Sequence, residues 1–218
     1  MTSTKQSSQH LAFRLLDWPV LVIAALCALG ALAAVLVANQ DRDADKRTSI
    51  MTVDPSASSV PLVDENGRRL TWGALTGAPR AVFFGFTHCP EVCPTTVAAL
   101  SAAIERLGPQ ARNLRVDFVS LDPTRDTPVL LKAYFSGFGR RFHGYTGTEG
   151  DIARLARAYQ VSYERVPTSG GDYTLNHTAI VYLVNPHGEV VDLLTYDSPP
   201  ERVVAQLRRL IAVPNIGA

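Results

Sequence analysis

Two cysteines, Cys89 and Cys93, stand four apart in the segment Thr87-His-Cys-Pro-Glu-Val-Cys-Pro94. Residues at i and i+4 share one side of a helical turn, so both sulfurs can point the same way. The segment follows an apolar run and precedes a helical pattern. Amides at a helix N-terminus favour anions there and lower thiol pKa values. Two adjacent thiolates can close a disulfide, bind a soft metal ion or supply a peroxidatic nucleophile. An inert role fits poorly, because a reduced pair outside the reducing cytosol is prone to oxidation.

The chain has 5 histidines. His10 precedes a long apolar stretch, and His187 sits in a polar Asn-Pro-His-Gly turn. His143 follows two arginines in a basic segment expected at the surface. His88 adjoins Cys89, but its side chain is expected to diverge from the cysteine pair. His177 differs: it follows a Gly170-Gly171-Asp172 loop and opens an apolar strand, Asn176-His177-Thr178-Ala-Ile-Val. In a thioredoxin-like sheet, the loop before the third core strand lies beside the active-site loop. His177 can therefore approach the two cysteines although it lies 84 residues beyond Cys93. A Cys₂His set has too few ligands for a closed structural zinc site, which takes four. It suits copper better, since thiolates favour Cu(I) and imidazole accepts either copper state.

These residues need a frame to hold them. The pattern predicts a hairpin around Asn66-Gly67 in 62–70 and a buried strand over 81–86. A helix over 95–107 carries Val97, Leu100, Ile104 and Leu107 on one face. A second strand covers 114–121, and Pro128 starts a helix reaching 138. Thr148 caps a helix through Tyr159 with Ile152, Leu155 and Tyr159 inward. A third core strand covers 178–184, a turn follows at Asn185-Pro-His-Gly188, and 189–195 returns antiparallel. An amphipathic helix over 199–212 closes the chain. This order predicts an α/β fold, a thioredoxin-like mixed sheet flanked by helices.

Composition bounds the rest. The 218 residues carry 21 Lys+Arg against 20 Asp+Glu, a net charge of +1, which argues against nucleic-acid binding. With 46% hydrophobic residues the chain can bury a core. Three cysteines are too few for a disulfide-stapled mini-fold. The 21 residues from Trp18 to Ala38 hold no charge, and as a helix they match the ~30 Å hydrocarbon core of a bilayer. A single transmembrane helix is expected there, with Cys27 as a small apolar residue within it. The alternative is a signal peptide cleaved near Ala31-Leu32-Ala33, but the apolar run continues past that site. The expected organisation is a tail over 1–17, a membrane anchor over 18–38, a linker over 39–60 and a thioredoxin-like domain over 61–218. Basic residues flank both ends of the apolar run and do not set its orientation.

Five segments in this order resemble the Sco/SenC family of copper-binding, thioredoxin-like proteins. They are Phe84-Gly-Phe-Thr-His-Cys-Pro-Glu-Val-Cys-Pro-Thr95, Leu121-Asp-Pro-Thr-Arg-Asp-Thr-Pro128, Tyr145-Thr-Gly-Thr148, Ala156-Arg-Ala-Tyr-Gln-Val161 and Tyr173-Thr-Leu-Asn-His-Thr-Ala-Ile-Val-Tyr-Leu183. The resemblance implies copper, as Cu(I) or Cu(II) and one per chain, held by Cys89, Cys93 and His177. It implies a role in building the binuclear copper site of cytochrome c oxidase subunit II or a similar copper-receiving protein. Other copper chaperones or thiol reductases would be further partners. The domain would face the periplasm from a bacterial inner membrane, or the intermembrane space from a mitochondrial one. Asp122 is expected to order the loop beside the site without being a ligand. Two positions depart from the family pattern: Glu91 and Asn176 stand where Asp is common.

The same cysteines could serve a thiol–disulfide oxidoreductase that reduces the copper-receiving subunit. The spacing Cys-x₃-Cys, against the usual Cys-x₂-Cys of such enzymes, favours metal. A peroxiredoxin-like enzyme fits less well, since Pro90 stands where a threonine is required three residues before Cys93. A redox or copper sensor would use the same site.

Overall fold

The computed structural model describes residues 22, 23, 25–32 and 50–213. Residues 22, 23 and 25–32 are helical and exposed, Cys27 among them. No helix among the described residues is long and apolar enough to cross a membrane. The expected tail over 1–17 and much of the expected anchor over 18–38 lie outside the described residues.

From Ile50 onward the chain already belongs to a compact unit. Met51 bridges to Val190. Residues Pro55–Ser59 form a 3₁₀ turn in which Asp54 Oδ1 accepts from the Ser56 N–H at 2.8 Å. Ala57 and Val60 are buried beneath it. The compact unit thus begins ahead of residue 61, and residues 39–49 of the expected linker lie outside the described residues.

The strands are β1 (Pro61–Asp64), β2 (Arg69–Thr71), β3 (Arg80–Gly85), β4 (Arg115–Ser120), β5 (Phe142–Thr146), β6 (Tyr163–Pro167), β7 (Tyr173–His177), β8 (Ile180–Val184) and β9 (Val190–Thr195). The helices among residues 50–213 are α1 (Val92–Leu107), α2 (Pro128–Phe135), α3 (Glu149–Ala158) and α4 (Pro200–Ile211). Seven strands form one mixed sheet in the order β2-β1-β5-β4-β3-β8-β9. Its centre, β3-β4-β5, is parallel, and the flanking pairs are antiparallel. β6 and β7 form a separate antiparallel ribbon.

Strand β3 is buried on both faces, as expected for a central strand covered on each side. Ala81 and Phe83 face a core built with α1, α2 and α4. Val82 and Phe84 face a second core with α3 and the segment around Trp72. This follows from the two-residue period of a strand, and each fully buried Phe contributes about 1.5–3 kcal/mol. The hairpin forms with Leu62 opposite Leu70, and Gly67 turns at φ +80°. Thr127 and Thr148 cap α2 and α3 by accepting from the N–H groups of Leu130 and Asp151.

Several boundaries differ from expectation. Helix α1 begins at Val92, so Pro94 occupies its third position; its missing N–H costs nothing, because first-turn amides have no intrahelical acceptor. α2 ends at Phe135, short of residue 138. Strand β5 and the β6–β7 ribbon were not anticipated. β5 is short and interrupted by Gly144; β6 is mostly exposed, β7 is mostly half-buried, and neither has a strong alternating pattern. His143 is not a surface-loop residue: it lies in β5, half-buried, with Nδ1 3.2 Å from Glu65 Oε1.

One ionic cluster sits inside the sheet. Arg80 Nε donates to Asp117 Oδ2 across β3 and β4, and both residues are buried. Arg115 Nη2 lies 3.3 Å from the other Asp117 oxygen, Oδ1, and Tyr145 Oη donates to that oxygen at 3.2 Å. Burial pushes the Asp117 carboxyl up, but Arg80 and Arg115 more than offset this and hold it below its usual range. Its contribution is therefore intact above the ordinary carboxylate range and is lost as pH falls through the lower folded value. Asp117→Ala, which leaves two guanidiniums uncompensated, is expected to destabilise the domain by about 3–5 kcal/mol in denaturant unfolding.

Candidate metal centre

The site forms where β3 ends. Gly85 is the last residue of β3, and Cys89 lies in the loop leading to α1. Cys93 is the second residue of α1 and is fully buried, while Cys89 is half-buried. The Cys93 backbone N–H points at Cys89 Sγ, at 3.5 Å, as the helix N-terminus argument requires. His177 brings Nε2 to 3.9 Å from Cys93 Sγ. One ligand atom from each of Cys89, Cys93 and His177 lies within 4.8 Å of the other two. No other group of three or more His, Cys, Asp or Glu side chains among the described residues is arranged to hold a metal ion.

His177 reaches the site by a route the sequence did not suggest. It does not open the third core strand, which starts at Ile180. It is the last residue of β7, paired with Tyr163 across the ribbon. Its Nδ1 lies 3.0 Å from the Thr178 carbonyl oxygen, an acceptor only. Nδ1 is thereby engaged, and Nε2 is the ring nitrogen that faces Cys93. Phe86 packs edge-on to the imidazole at 5.9 Å between centroids.

Electrostatics split the two thiols. The Cys93 thiol, then His177 and the N–H groups of Cys93 and Glu91, hold Cys89 well below the usual thiol range against the opposing effect of burial. The neighbouring Cys89 sulfur and burial push Cys93 well above it. The outer thiol is thus the more acidic of the two and the inner the less acidic. Tyr134, whose hydroxyl is buried without a hydrogen-bond partner, is raised to about 12 by burial and by Cys93, Cys89 and Asp126.

Two carboxylates brace the site. Asp122, fully buried, accepts from Arg125 Nε and, at 2.7 Å, from the hydroxyl of Tyr173 on β7. It ties the loop after β4 to the strand that carries His177 and touches no ligand, in line with its expected ordering role. Asp126, also fully buried, accepts from the Thr87 N–H at 3.0 Å, from Thr87 Oγ1 at 2.6 Å and from Ser120 Oγ at 2.6 Å. It fixes the residue just before His88 and Cys89. Sequence reasoning missed Asp126, although it stands in the same Asp-Pro-Thr-Arg-Asp segment. Gly85 was missed as well. A Cβ there would lie 2.8 Å from Cys93 Sγ and 2.9 Å from a Phe118 ring carbon. A lone glycine inside an apolar strand was the available signal.

Among the described residues, the other histidines stay out of the site. His88 is exposed and turns toward Thr87 Oγ1 at 3.2 Å and Asp126 at 3.8 Å. His187 is exposed in its turn, and His10 lies outside the described residues.

A mixed sheet with a Cys-x₃-Cys loop between its central strand and first helix, approached by a distant histidine, defines a thioredoxin-like protein with a candidate Cys₂His metal centre. The chain belongs to the SCO1/SenC family, whose model matches residues 56–212. It is 33% identical over 149 residues to the SCO2-like protein of Rickettsia felis, covering 67% of this chain and 73% of that protein. Among solved structures it resembles ScoI of Bradyrhizobium japonicum with copper bound, at 39% identity and a TM-score of 0.64, over 69% of this chain and 96% of that one. Yeast Sco1 with copper bound is similar at 28% identity and a TM-score of 0.65, over 72% and 89% of the two chains.

The geometry predicts a strong asymmetry in thiol chemistry. In the reduced, metal-free protein, iodoacetamide is expected to modify Cys89 at least tenfold faster than Cys93. Cys89 labelling should persist at mildly acidic pH, well below the ordinary thiol pKa of ~8.5. Mass spectrometry of the alkylated peptides over a pH series reads both outcomes.

Proposed function

We propose that this protein is a membrane-anchored copper chaperone. It binds one copper through Cys89, Cys93 and His177 and helps assemble the binuclear copper site of cytochrome c oxidase subunit II or a similar copper-receiving protein. The observation that carries this reading is the convergence of two sulfurs and one imidazole nitrogen within 4.8 Å, with one sulfur half-exposed. Two soft thiolates and an imidazole match the ligand preference of Cu(I). Three ligands leave room for an incoming thiolate, so copper can pass by stepwise ligand exchange with a partner. The copper-bound relatives support the choice of metal. The uncharged run 18–38 would anchor the domain to a bacterial inner membrane facing the periplasm, or to a mitochondrial inner membrane facing the intermembrane space.

A second reading, thiol–disulfide exchange, is favoured by the split between the two thiols. The Cys89 thiolate would attack a partner disulfide and release one partner thiolate. Cys93 would then lose its proton and attack Cys89, releasing the second partner thiolate and leaving the Cys89–Cys93 disulfide. The partner disulfide is reduced and this pair oxidised. In that state Cu(I) has no thiolates to bind, so the two activities exclude each other on one molecule.

Elemental analysis of the reduced full-length protein is expected to give one copper per chain. His177→Ala and Cys89→Ser should lose it or hold it far more weakly. Absence of tightly held copper in the reduced wild type would overturn the chaperone reading. If His177→Ala loses copper yet still reduces a disulfide substrate at near wild-type rate, the Cys pair also serves exchange. Gly85→Ala should weaken Cu(I) binding at least tenfold in a competition titration, because its Cβ takes the space of the Cys93 sulfur.

A further inference from the structure

The sheet has two ends, and the metal centre occupies one of them. At the other end, Arg141, Arg115, Arg80, Val184 and Val190 stand in one row across β5, β4, β3, β8 and β9. Gly85, beside Cys93, ends β3 at about 16 Å from Arg80, which starts it. Basic charge gathers at the far end. The segments 108–115 and 136–141, which lead into β4 and β5, carry Arg112, Arg115, Arg140 and Arg141 and no acidic residue. The two segments lie side by side: Arg141 Nε donates to the Ala111 carbonyl at 2.9 Å, and the Val116 N–H donates to the Arg141 carbonyl at 2.8 Å. Arg112 and Arg140 are exposed, and Arg141 is half-buried.

These arginines differ from those elsewhere on the surface. Arg68, Arg106, Arg154 and Arg165 each meet a carboxylate at 2.6–2.9 Å. Among the described residues, Arg112, Arg140 and Arg141 pair with none. Arg115, whose side chain is 30% exposed, shares Asp117 with the buried Arg80, so this end carries excess positive charge. Arg112 also borders a groove lined by Pro79, Pro109, Pro186 and Val213, which sets apolar surface beside the charge. The chain enters the compact unit at this same end. The Ile50 N–H donates to the Val190 carbonyl at 2.9 Å, and Ile50 is 56% exposed. Four strand spacings, about 19 Å, separate β9 from β5 along the row. The 11 residues 39–49, between the uncharged run and Ile50, can span at most about 40 Å. They hold Asp41, Asp43 and Asp45 against Arg42, Lys46 and Arg47, so their own charge sums to zero.

We propose that the face formed by Arg112, Arg115, Arg140 and Arg141 docks on the anionic phospholipid surface of the membrane that holds the chain. The inference rests on reading 18–38 as a membrane anchor and is independent of the copper reading. An unpaired guanidinium donates two N–H groups to one phosphate, which suits it to phospholipid headgroups. The anchor and short linker keep the domain near the headgroups, so weak contacts form at high effective concentration. The attraction is electrostatic and is screened by salt, over a length of about 10 Å at 0.1 M. With this face on the bilayer, Cys89 and His177 stand at the end of the sheet turned away from it, open to a soluble partner domain.

The test uses the full-length chain with a specific protease site inserted between Ala44 and Asp45. It is reconstituted into vesicles of phosphatidylcholine alone and of phosphatidylcholine with phosphatidylglycerol. Co-sedimentation with the pure phosphatidylcholine vesicles before cleavage reads the anchor by itself. If the chain does not co-sediment there, the anchor reading falls, and binding of the uncleaved chain to the phosphatidylglycerol vesicles reads the arginine face alone. After cleavage at low salt, the domain is expected to stay on the phosphatidylglycerol vesicles and to leave the phosphatidylcholine ones. High salt should release it from both. Arg112→Gln combined with Arg140→Gln should lower its partition onto phosphatidylglycerol vesicles by about tenfold or more. Arg69→Gln combined with Lys132→Gln removes the same charge from exposed residues of β2 and α2, outside this face, and should leave the partition unchanged. Equal melting temperatures check that both variants stay folded. Equal retention on the two vesicle types, or equal loss in the two double variants, would overturn the proposal. Release from the phosphatidylglycerol vesicles at low salt would overturn it too and leave the face to an acidic protein partner.

Discussion

The structure around the candidate centre depends on one close approach. Cys93 Sγ occupies the space that a side chain at Gly85 would fill, against the edge of Phe118. The sulfur is held there from two directions, because Gly85 ends the central strand while Cys93 belongs to the first turn of α1. The helix cannot shift along the sheet without driving that sulfur into β3 or opening a void beside Phe118, and packed cores tolerate neither. The buried sulfur is therefore a fixed point. Cys89, in the loop, is positioned relative to it by the Cys93 backbone N–H.

His177 belongs to a different part of the fold, and two buried aspartates connect the parts. Both lie in the loop after β4, and each reaches a different neighbour. Asp126 holds Thr87, on the cysteine side; Asp122 holds Tyr173, on the histidine side. Arg125 between them donates to Asp172 and to the Tyr173 carbonyl and stacks on the Tyr173 ring at 3.8 Å. A short loop that touches neither sulfur nor imidazole thus sets their separation. Carboxylates suit this task, because each oxygen accepts several hydrogen bonds and remains costly to leave unpaired when buried.

What the sequence disclosed follows from which patterns are local. The apolar runs at 81–86, 114–121 and 178–184 mark the strands buried on both faces. Thr127, Pro128 and Thr148 mark helix starts through side-chain and ring chemistry that acts within a turn. The cysteine pair and His177 were legible from residue type and spacing once a thioredoxin-like order was inferred. The β6–β7 ribbon was not, since β6 is largely exposed, β7 is only half-buried, and their residues carry no clear alternation. The placement of His177 at a ribbon end was hidden for the same reason. Asp126 and Gly85 were hidden differently: their roles lie in contacts made across the fold, with Thr87 and Cys93, which no local pattern encodes.

The ribbon also explains a departure from the family pattern that composition left open. Asn176 stands beside His177 where an aspartate is common, and its register partner across the ribbon is Glu164. The Asn176 amide donates to Glu164 Oε1 at 3.3 Å. An aspartate in its place would set two carboxylates opposite each other on neighbouring strands, an arrangement that weakens pairing. With Asn176 the negative charge is carried by Glu164 on β6 and not by the residue adjoining the histidine. Asn176 is thus matched to its cross-strand neighbour. The ribbon keeps the pairing that ends at Tyr163 and His177, and the imidazole stays aligned with the two sulfurs.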